Sequence, residues 1–321
     1  MSYRRVLFPA VLLLFLQLGQ ASAVDRALSS DPAAFVRSWL AEPESRMNFG
    51  QAKLAIDKFV DPSTDAEAAL AKIDGMVATI NRMLATLPPD AAATSVEKMR
   101  ALRAFIYEGG HWNDHQPFRY DLDGPTGQNF ASRLLPNYLA TRTGNCVSMP
   151  ILFLVLAERL GLDVTLSTAP LHVFVKWTDD ATGQTYNFEA TNGGFARDSH
   201  YRQEMPMTDT AIANGVYLKT LSRREALSVM ASLVLEHLLN TRRYSEAVAV
   251  ADVILGAYPA FAYALVKKGT AYYRLLDEIV VRKNGNVADV PADQVEYAGQ
   301  LNRANQAAFD RAEALGWRMS D

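Results

Sequence analysis

The sequence predicts an α+β protein, with a small helix-and-strand core set between two helical regions. Three observations predict it. Apolar residues recur at helical spacing from Ser29 to Tyr107. In the middle of the chain a continuous apolar run is followed by two alternating segments, the mark of a buried helix and a strand pair. After Ser222 the helical spacing returns.

The elements follow in order. Arg4 and Arg5 precede an apolar stretch from Val6 to Leu18, and Ala21-Ser22-Ala23 is a small-x-small cleavage site. This predicts a secretory signal over residues 1–23, cut after Ala23, and hence a periplasmic or secreted protein. The stretch falls short of the ~20 residues of a membrane span, and an uncleaved N-terminal anchor is the alternative. No other segment reads as spanning a membrane. The first helical region covers residues 24–107. Asp31 to Leu40 begins with a cap, Asn48 to Phe59 follows, Asp65 to Leu87 ends before Pro88-Pro89, and Ser95 to Tyr107 repeats the pattern.

The second region, residues 108–205, opens with a polar, aromatic loop from His111 to Asp123 that has no periodicity. A main helix is expected to begin at Cys146 and end at Gly161. Val164 to Ser167 reads as a short strand, Leu171 to Trp177 as a second, and Thr185 to Ala190 as the strand back. In the third region, residues 222–321, Ser222 caps a helix to about Leu239. Two more follow at 244–258 and 262–276. Tyr244, Ala247, Ala251, Pro259, Ala264 and Gly269 in that pair resemble a tetratricopeptide repeat, with a weaker echo at Ala307-Ala308-Phe309 and Ala312 and a charged insertion between them.

The chain has 321 residues and a formal net charge of −3. With no basic run longer than two residues, nothing points to nucleic acid. Cys146 is the only cysteine, so it cannot form an internal disulfide. In an exported protein such a residue is either inert and buried or reactive. Its surroundings favour the second. Thr143-Gly144-Asn145 is a turn, and the following run, apolar throughout from Ile151 to Ala157, is a core helix. The first amides of a helix are unpaired and carry partial positive charge, which favours a thiolate. Pro150 would then fall in the second turn of that helix and forfeit a backbone bond.

A thiol needs a base, and the base needs an orienting group. Period two along the second strand turns Leu171, Val173, Val175 and Trp177 toward the core and His172 to the other face. On the returning strand Asn187 and Glu189 share one face. A hairpin centred between Asp180 and Ala181 would place His172 directly opposite Glu189, with Cβ atoms ~5 Å apart. Cys146, His172 and Glu189 are therefore the candidate catalytic residues.

Arg142-Thr143-Gly144-Asn145-Cys146, then Ala157-Glu158-Arg159-Leu160-Gly161-Leu162, Pro170-Leu171-His172-Val173-Phe174 and Asn187-Phe188-Glu189-Ala190-Thr191-Asn192-Gly193-Gly194 together resemble a transglutaminase-like core. The resemblance is greatest to the SirB-type branch with C-terminal tetratricopeptide helices. It implies a papain-like fold, in which a helix carrying Cys146 packs on a small antiparallel sheet. It also implies Cys146 as nucleophile, His172 as base and acid, and Glu189 where an Asp is usual. The reaction would be acyl transfer from a protein or peptide, to water as a peptidase or amidase, or to an amine in cross-linking. By compartment, cell-envelope proteins or peptides are the expected substrates. Asn137 is the candidate oxyanion donor beside the Cys146 amide, and a structural Asn capping the Tyr138 segment is its alternative. No cofactor and no metal are implied. His111 and His115 are four apart but lack a third ligand, and Asp121, Asp123 and Gly124 lack the rest of a calcium loop. The alternative function is a catalytically inactive interaction module that binds a protein partner through its C-terminal helices. A thiol within ~4 Å of His172 and open to solvent favours the enzyme.

Overall fold

The N-terminal helices begin where a short polar side chain can satisfy the free amides of a first turn. A computed structural model describes residues 31–122, 124, 129–282 and 290–319; the leader expected at residues 1–23 lies outside them. Asp31 accepts from the amides of Ala33 and Ala34 and opens α1 (Pro32–Leu40). Asn48 caps α2 (Phe49–Val60) and Asp65 caps α3 (Ala66–Leu84). After the short α4 (Pro89–Ala92), Thr94 caps α5 (Ser95–Tyr107). Helix α2 buries an ion pair, Lys53 with Asp57. Lys53 Nζ also donates to the Arg133 carbonyl at 3.0 Å, and Asp57 accepts from the Leu135 amide at 2.9 Å.

The loop read without periodicity holds a 3-10 turn at His111–Asn113 and then β1 (Arg119–Tyr120). Helix α6 (Leu135–Thr141) follows, then β2 (Thr143–Gly144), parallel to β1, and α7 (Ser148–Arg159). An antiparallel meander of β3 (Asp163–Ala169), β4 (His172–Thr178), β5 (Thr185–Glu189) and β6 (Gly194–Ala196) forms the main sheet. Helix α7 covers one face. It is buried from Ser148 to Ala157, and Phe153 stacks near Phe188 with ring centres 4.4 Å apart. The other face is also covered, by Tyr201 of α8 (Asp198–Glu204) and by Leu218, which follows α9 (Asp209–Ala213). The Leu218 and Leu221 amides donate to Thr168 and Leu166, so this segment shields the free edge of β3.

Three details depart from the sequence reading. Pairs Val175 with Phe188 and Trp177 with Tyr186 shift the β4–β5 register by two residues, so Glu189 falls opposite Phe174 and lies diagonal to His172. The face carrying His172, read as the one away from the core, is buried as well, since Phe174 and Lys176 beside it are both inside. And Leu171, expected in the core, is 80% exposed with a left-handed backbone (φ 54°).

Ser222 and Glu225 form a reciprocal cap that opens α10 (Arg223–Asn240). It is followed by α11 (Tyr244–Ala257), α12 (Ala262–Asp277) and, past the charged insertion, α13 (Ala292–Ala314). A Cβ at Gly269 would lie 2.6 Å from the Phe309 ring, so α12 and α13 approach closely there. Residues 283–289 of the insertion lie outside the described residues.

Candidate active site

The turn that presents Cys146 is built by its neighbours. Arg142 ends α6 in a left-handed conformation (φ 54°), and its guanidinium donates to the carbonyls of Asn113, at 2.6 Å, and Gln116. A Cβ on Gly144 would meet the Tyr138 ring at 2.6 Å and Ser148 Oγ at 2.7 Å, so only glycine fits. Asn145 Oδ1 accepts from the amides of Val147 (2.9 Å) and Ser148 (3.1 Å), and Ser148 Oγ accepts from the Asn145 amide (3.1 Å). The helix therefore starts at Ser148, two residues later than expected from the sequence. Pro150 is the physical reason: as third residue of α7 its missing N–H falls where no intrahelical partner exists, whereas a start at Cys146 would have cost a ladder bond. Cys146 sits just ahead of the helix, half-buried, with Sγ 3.9 Å from the Leu171 carbonyl.

His172 lies between the thiol and the carboxylate. Its Nε2 is 2.7 Å from Glu189 Oε2, and the ring is near enough to Cys146 for the two to interact electrostatically. Burial acts to lower its pKa. Its interactions with Cys146 and Glu189 outweigh that and raise it to about 9. Glu189 shows the mirror effect: burial acts to raise its pKa, but His172 and Thr191 hold it below the ordinary value. Each of its oxygens is doubly bonded to donors. Oε2 accepts from His172 and, at 3.1 Å, from the Tyr201 hydroxyl; Oε1 accepts from the Thr191 amide at 3.0 Å and the Thr191 hydroxyl at 2.6 Å. Burial and the carboxylate raise the Tyr201 pKa, so the phenol stays protonated and donates.

The register shift explains how a glutamate reaches His172. Diagonal residues on neighbouring strands stand ~7–8 Å apart rather than ~5 Å. The extra methylene of Glu189 spans that difference. The strand end that carries it is braced by α5: Tyr107 Oη donates to the Ala190 carbonyl at 2.7 Å, and Arg103 Nε to the Gly193 carbonyl at 2.7 Å.

The structure thus brings Cys146, His172 and Glu189 together, with His172 hydrogen-bonded to Glu189 and within interaction range of Cys146. Asn137 is elsewhere in the frame. It is the third residue of α6, half-buried, and it does not cap that helix. Among the described residues no hydrogen bond joins it to the three. Two supporting residues were not found in the sequence. Thr191 had a signal, a hydroxyl residue two places after an acidic one at a turn. Tyr201 had none, because a different element brings it in.

Among curated proteins none matches the chain. Among solved structures it is similar to menin, in a crystal structure described as revealing the binding site for Mixed Lineage Leukemia (MLL) protein. The identity is 13%, the match covers 89% of this chain and 70% of that one, and the TM-score is 0.38, which does not establish a shared fold. Residues 67–238, just over half of the sequence, match the family model described as the transglutaminase-like superfamily, and they contain the whole of the Cys146 turn, the β3–β6 sheet and the His172–Glu189 pair, so the chain belongs to that superfamily.

Proposed function

We propose that the protein is an exported cysteine acyl-transfer enzyme, most simply a peptidase or amidase, with a papain-like core of the SirB-type branch and a tetratricopeptide-like C-terminal region. The observation that carries the reading is the convergence of the three side chains: His172 is bonded to a fully engaged Glu189 carboxylate, and its ring interacts with the half-buried Cys146. His172 takes the thiol proton at Nδ1, and Glu189 holds the imidazolium through Nε2. Cys146 Sγ attacks the carbonyl carbon of an amide. The charge that collects on the carbonyl oxygen meets the Cys146 amide, which among the described residues donates to no other group. A well-aimed donor of that kind is worth roughly 3 kcal/mol in the transition state. His172 then returns the proton to the leaving amine, and the thioester passes its acyl group to water, or to a second amine in cross-linking. Asn137 remains the candidate for a second oxyanion donor.

The test is labelling of Cys146 by iodoacetamide at pH 7. Wild type is expected to react at least tenfold faster than the His172→Ala variant. Equal rates would remove the ion pair and leave the interaction module, served by the C-terminal helices, as the reading.

A further inference from the structure

We infer that α8 is a positioning element for the reaction: Tyr201 holds the Glu189 carboxylate onto His172, and Asp198 holds Tyr201 in place; this rests on the acyl-transfer reading above. Glu189 has one more side-chain torsion than an aspartate and reaches His172 along a diagonal, so it needs more donors to keep a single orientation. Thr191, its near neighbour in the chain, fixes Oε1 through its amide at 3.0 Å and its hydroxyl at 2.6 Å. Oε2 is the oxygen that faces His172, and the Tyr201 hydroxyl is its second donor, at 3.1 Å. Without that donor the carboxylate is free to turn about the Thr191 contacts and carry Oε2 away from the ring.

The hydroxyl is aimed by packing. Tyr201 is 1% exposed, and its ring stacks on Phe174 with centres 4.2 Å apart and planes 19° apart. Phe174 stands between His172 and Lys176 on one face of β4. Asp198 and Tyr201, three residues apart, share one side of α8 and lie along that face. At the far end Lys176 pairs with Asn187 across the strands and donates to its Oδ1 at 2.9 Å. Asn187 Nδ2 in turn donates to Asp198 Oδ1 at 2.7 Å, and Lys176 Nζ lies 4.0 Å from the same oxygen. One face of two strands therefore carries the His172–Glu189 pair at one end and the Lys176–Asn187 pair at the other. Helix α8 is bonded to both, through Tyr201 and through Asp198, and the second bond keeps the first in register.

The experiment measures the iodoacetamide rate of Cys146 at pH 7 and pH 10 in wild type, Tyr201→Phe, Asp198→Ala and the double variant. Phenylalanine keeps the stacked ring and removes only the hydroxyl. The Asp198 side chain is 58% exposed, so its truncation leaves the core intact. At pH 7 Tyr201→Phe is expected to react about fivefold more slowly than wild type and Asp198→Ala about threefold, a part of what a hydrogen bond to a charged group is worth. At pH 10 a thiol ionises unaided, its ordinary pKa being ~8.5, and every variant should come within about twofold of wild type. Loss of packing or of access to the sulfur would instead slow labelling at both pH values. The double variant should be no slower than Tyr201→Phe, because both changes act through one hydroxyl. A rate within about twofold of wild type at pH 7 in either single variant, a deficit that persists at pH 10, or losses that multiply in the double variant overturns the proposal. A wild-type rate at pH 7 no faster than that of His172→Ala instead removes the acyl-transfer reading, and this inference with it.

Discussion

At the scale of single residues the site depends on one imidazole that is charged because of its neighbours. Burial works against the charge on His172, and Cys146 and Glu189 together overcome it. The Cys146→Ala and Glu189→Gln variants should each lower the His172 pKa from about 9, and the double variant should take it below 6.5, since only burial is then left. An NMR titration of the ring proton checks this, and a double variant still titrating near 9 would contradict the assignment. The sign for stability follows from linkage. The folded His172 pKa is raised, so its contribution is whole below pH 6.5 and is lost as the pH rises through about 9. That of Glu189, whose pKa is lowered, is present above about pH 4.5 and is lost as the pH falls through the depressed value. The urea midpoint of wild type should therefore fall between pH 6.5 and 9 more steeply than that of His172→Ala. Length matters as much as charge. Glu189→Asp keeps the carboxylate but pulls it back by one methylene on a diagonal pair, and it should slow Cys146 labelling at least tenfold.

At the scale of elements, the sequence specified where helices begin and end better than how strands pair. Asp31 and Ser222 were readable as caps because capping is local, and each one caps its helix; Asn48 and Asp65, read as helix starts, cap theirs as well. The three catalytic candidates were readable for the same reason, from the turn before Cys146 and the alternation around His172. The β4–β5 register was not. Between Thr178 and Gln184 the chain offers more than one hairpin centre. The choice is made by Asp179, whose carboxylate accepts from Thr182 Oγ1 at 2.8 Å and from Ser95 Oγ at 2.6 Å. Ser95 lies 84 residues away, so no local pattern contains that information. The cysteine turn makes a testable contrast. Asn145→Ala removes the acceptor for two amides of the α7 start and should destabilise the protein by ~1–2 kcal/mol, read in urea. It should also slow labelling of Cys146, because the sulfur is placed by that turn. A stability loss with unchanged labelling would separate the cap from the reactivity of the thiol.

At the scale of the whole molecule, the division into a helical region, a core and a second helical region describes the order of the chain more than its energetics. Glu158, on the last turn of α7, accepts from the Phe49 amide at 3.1 Å with Oε2 and pairs with Arg223 through Oε1. Arg223, the first residue of α10, also donates to the carbonyls of Glu44 (3.1 Å) and Met47 (2.5 Å) and lies 4.3 Å above the Phe49 ring. One carboxylate of the core thus joins the start of α2 to the start of α10. A second joint repeats the theme: Lys53 and Asp57 of α2 hold the 133–135 segment, and Arg133 pairs with Glu236 of α10. Helix α10 itself buries Leu227, Met230, Val234, Leu235 and Leu238, and these sit in one cluster with Phe35, Leu54, Leu152 and Phe153. Burying each such side chain contributes ~1.5–3 kcal/mol, so removing α10 takes away a stabilisation comparable to the ~5–15 kcal/mol by which a domain is usually stable. A chain ending at residue 221 is therefore expected not to fold, and the full chain to unfold in one transition, with tryptophan fluorescence and far-ultraviolet circular dichroism sharing a midpoint. Asp57→Ala tests the same coupling without truncation: it strands a buried ammonium, and should lower stability by ~3–5 kcal/mol in that same single transition. Two separated transitions, or a folded 1–221 fragment with a reactive Cys146, would show instead that the C-terminal helices are an appendage and that the site stands without them.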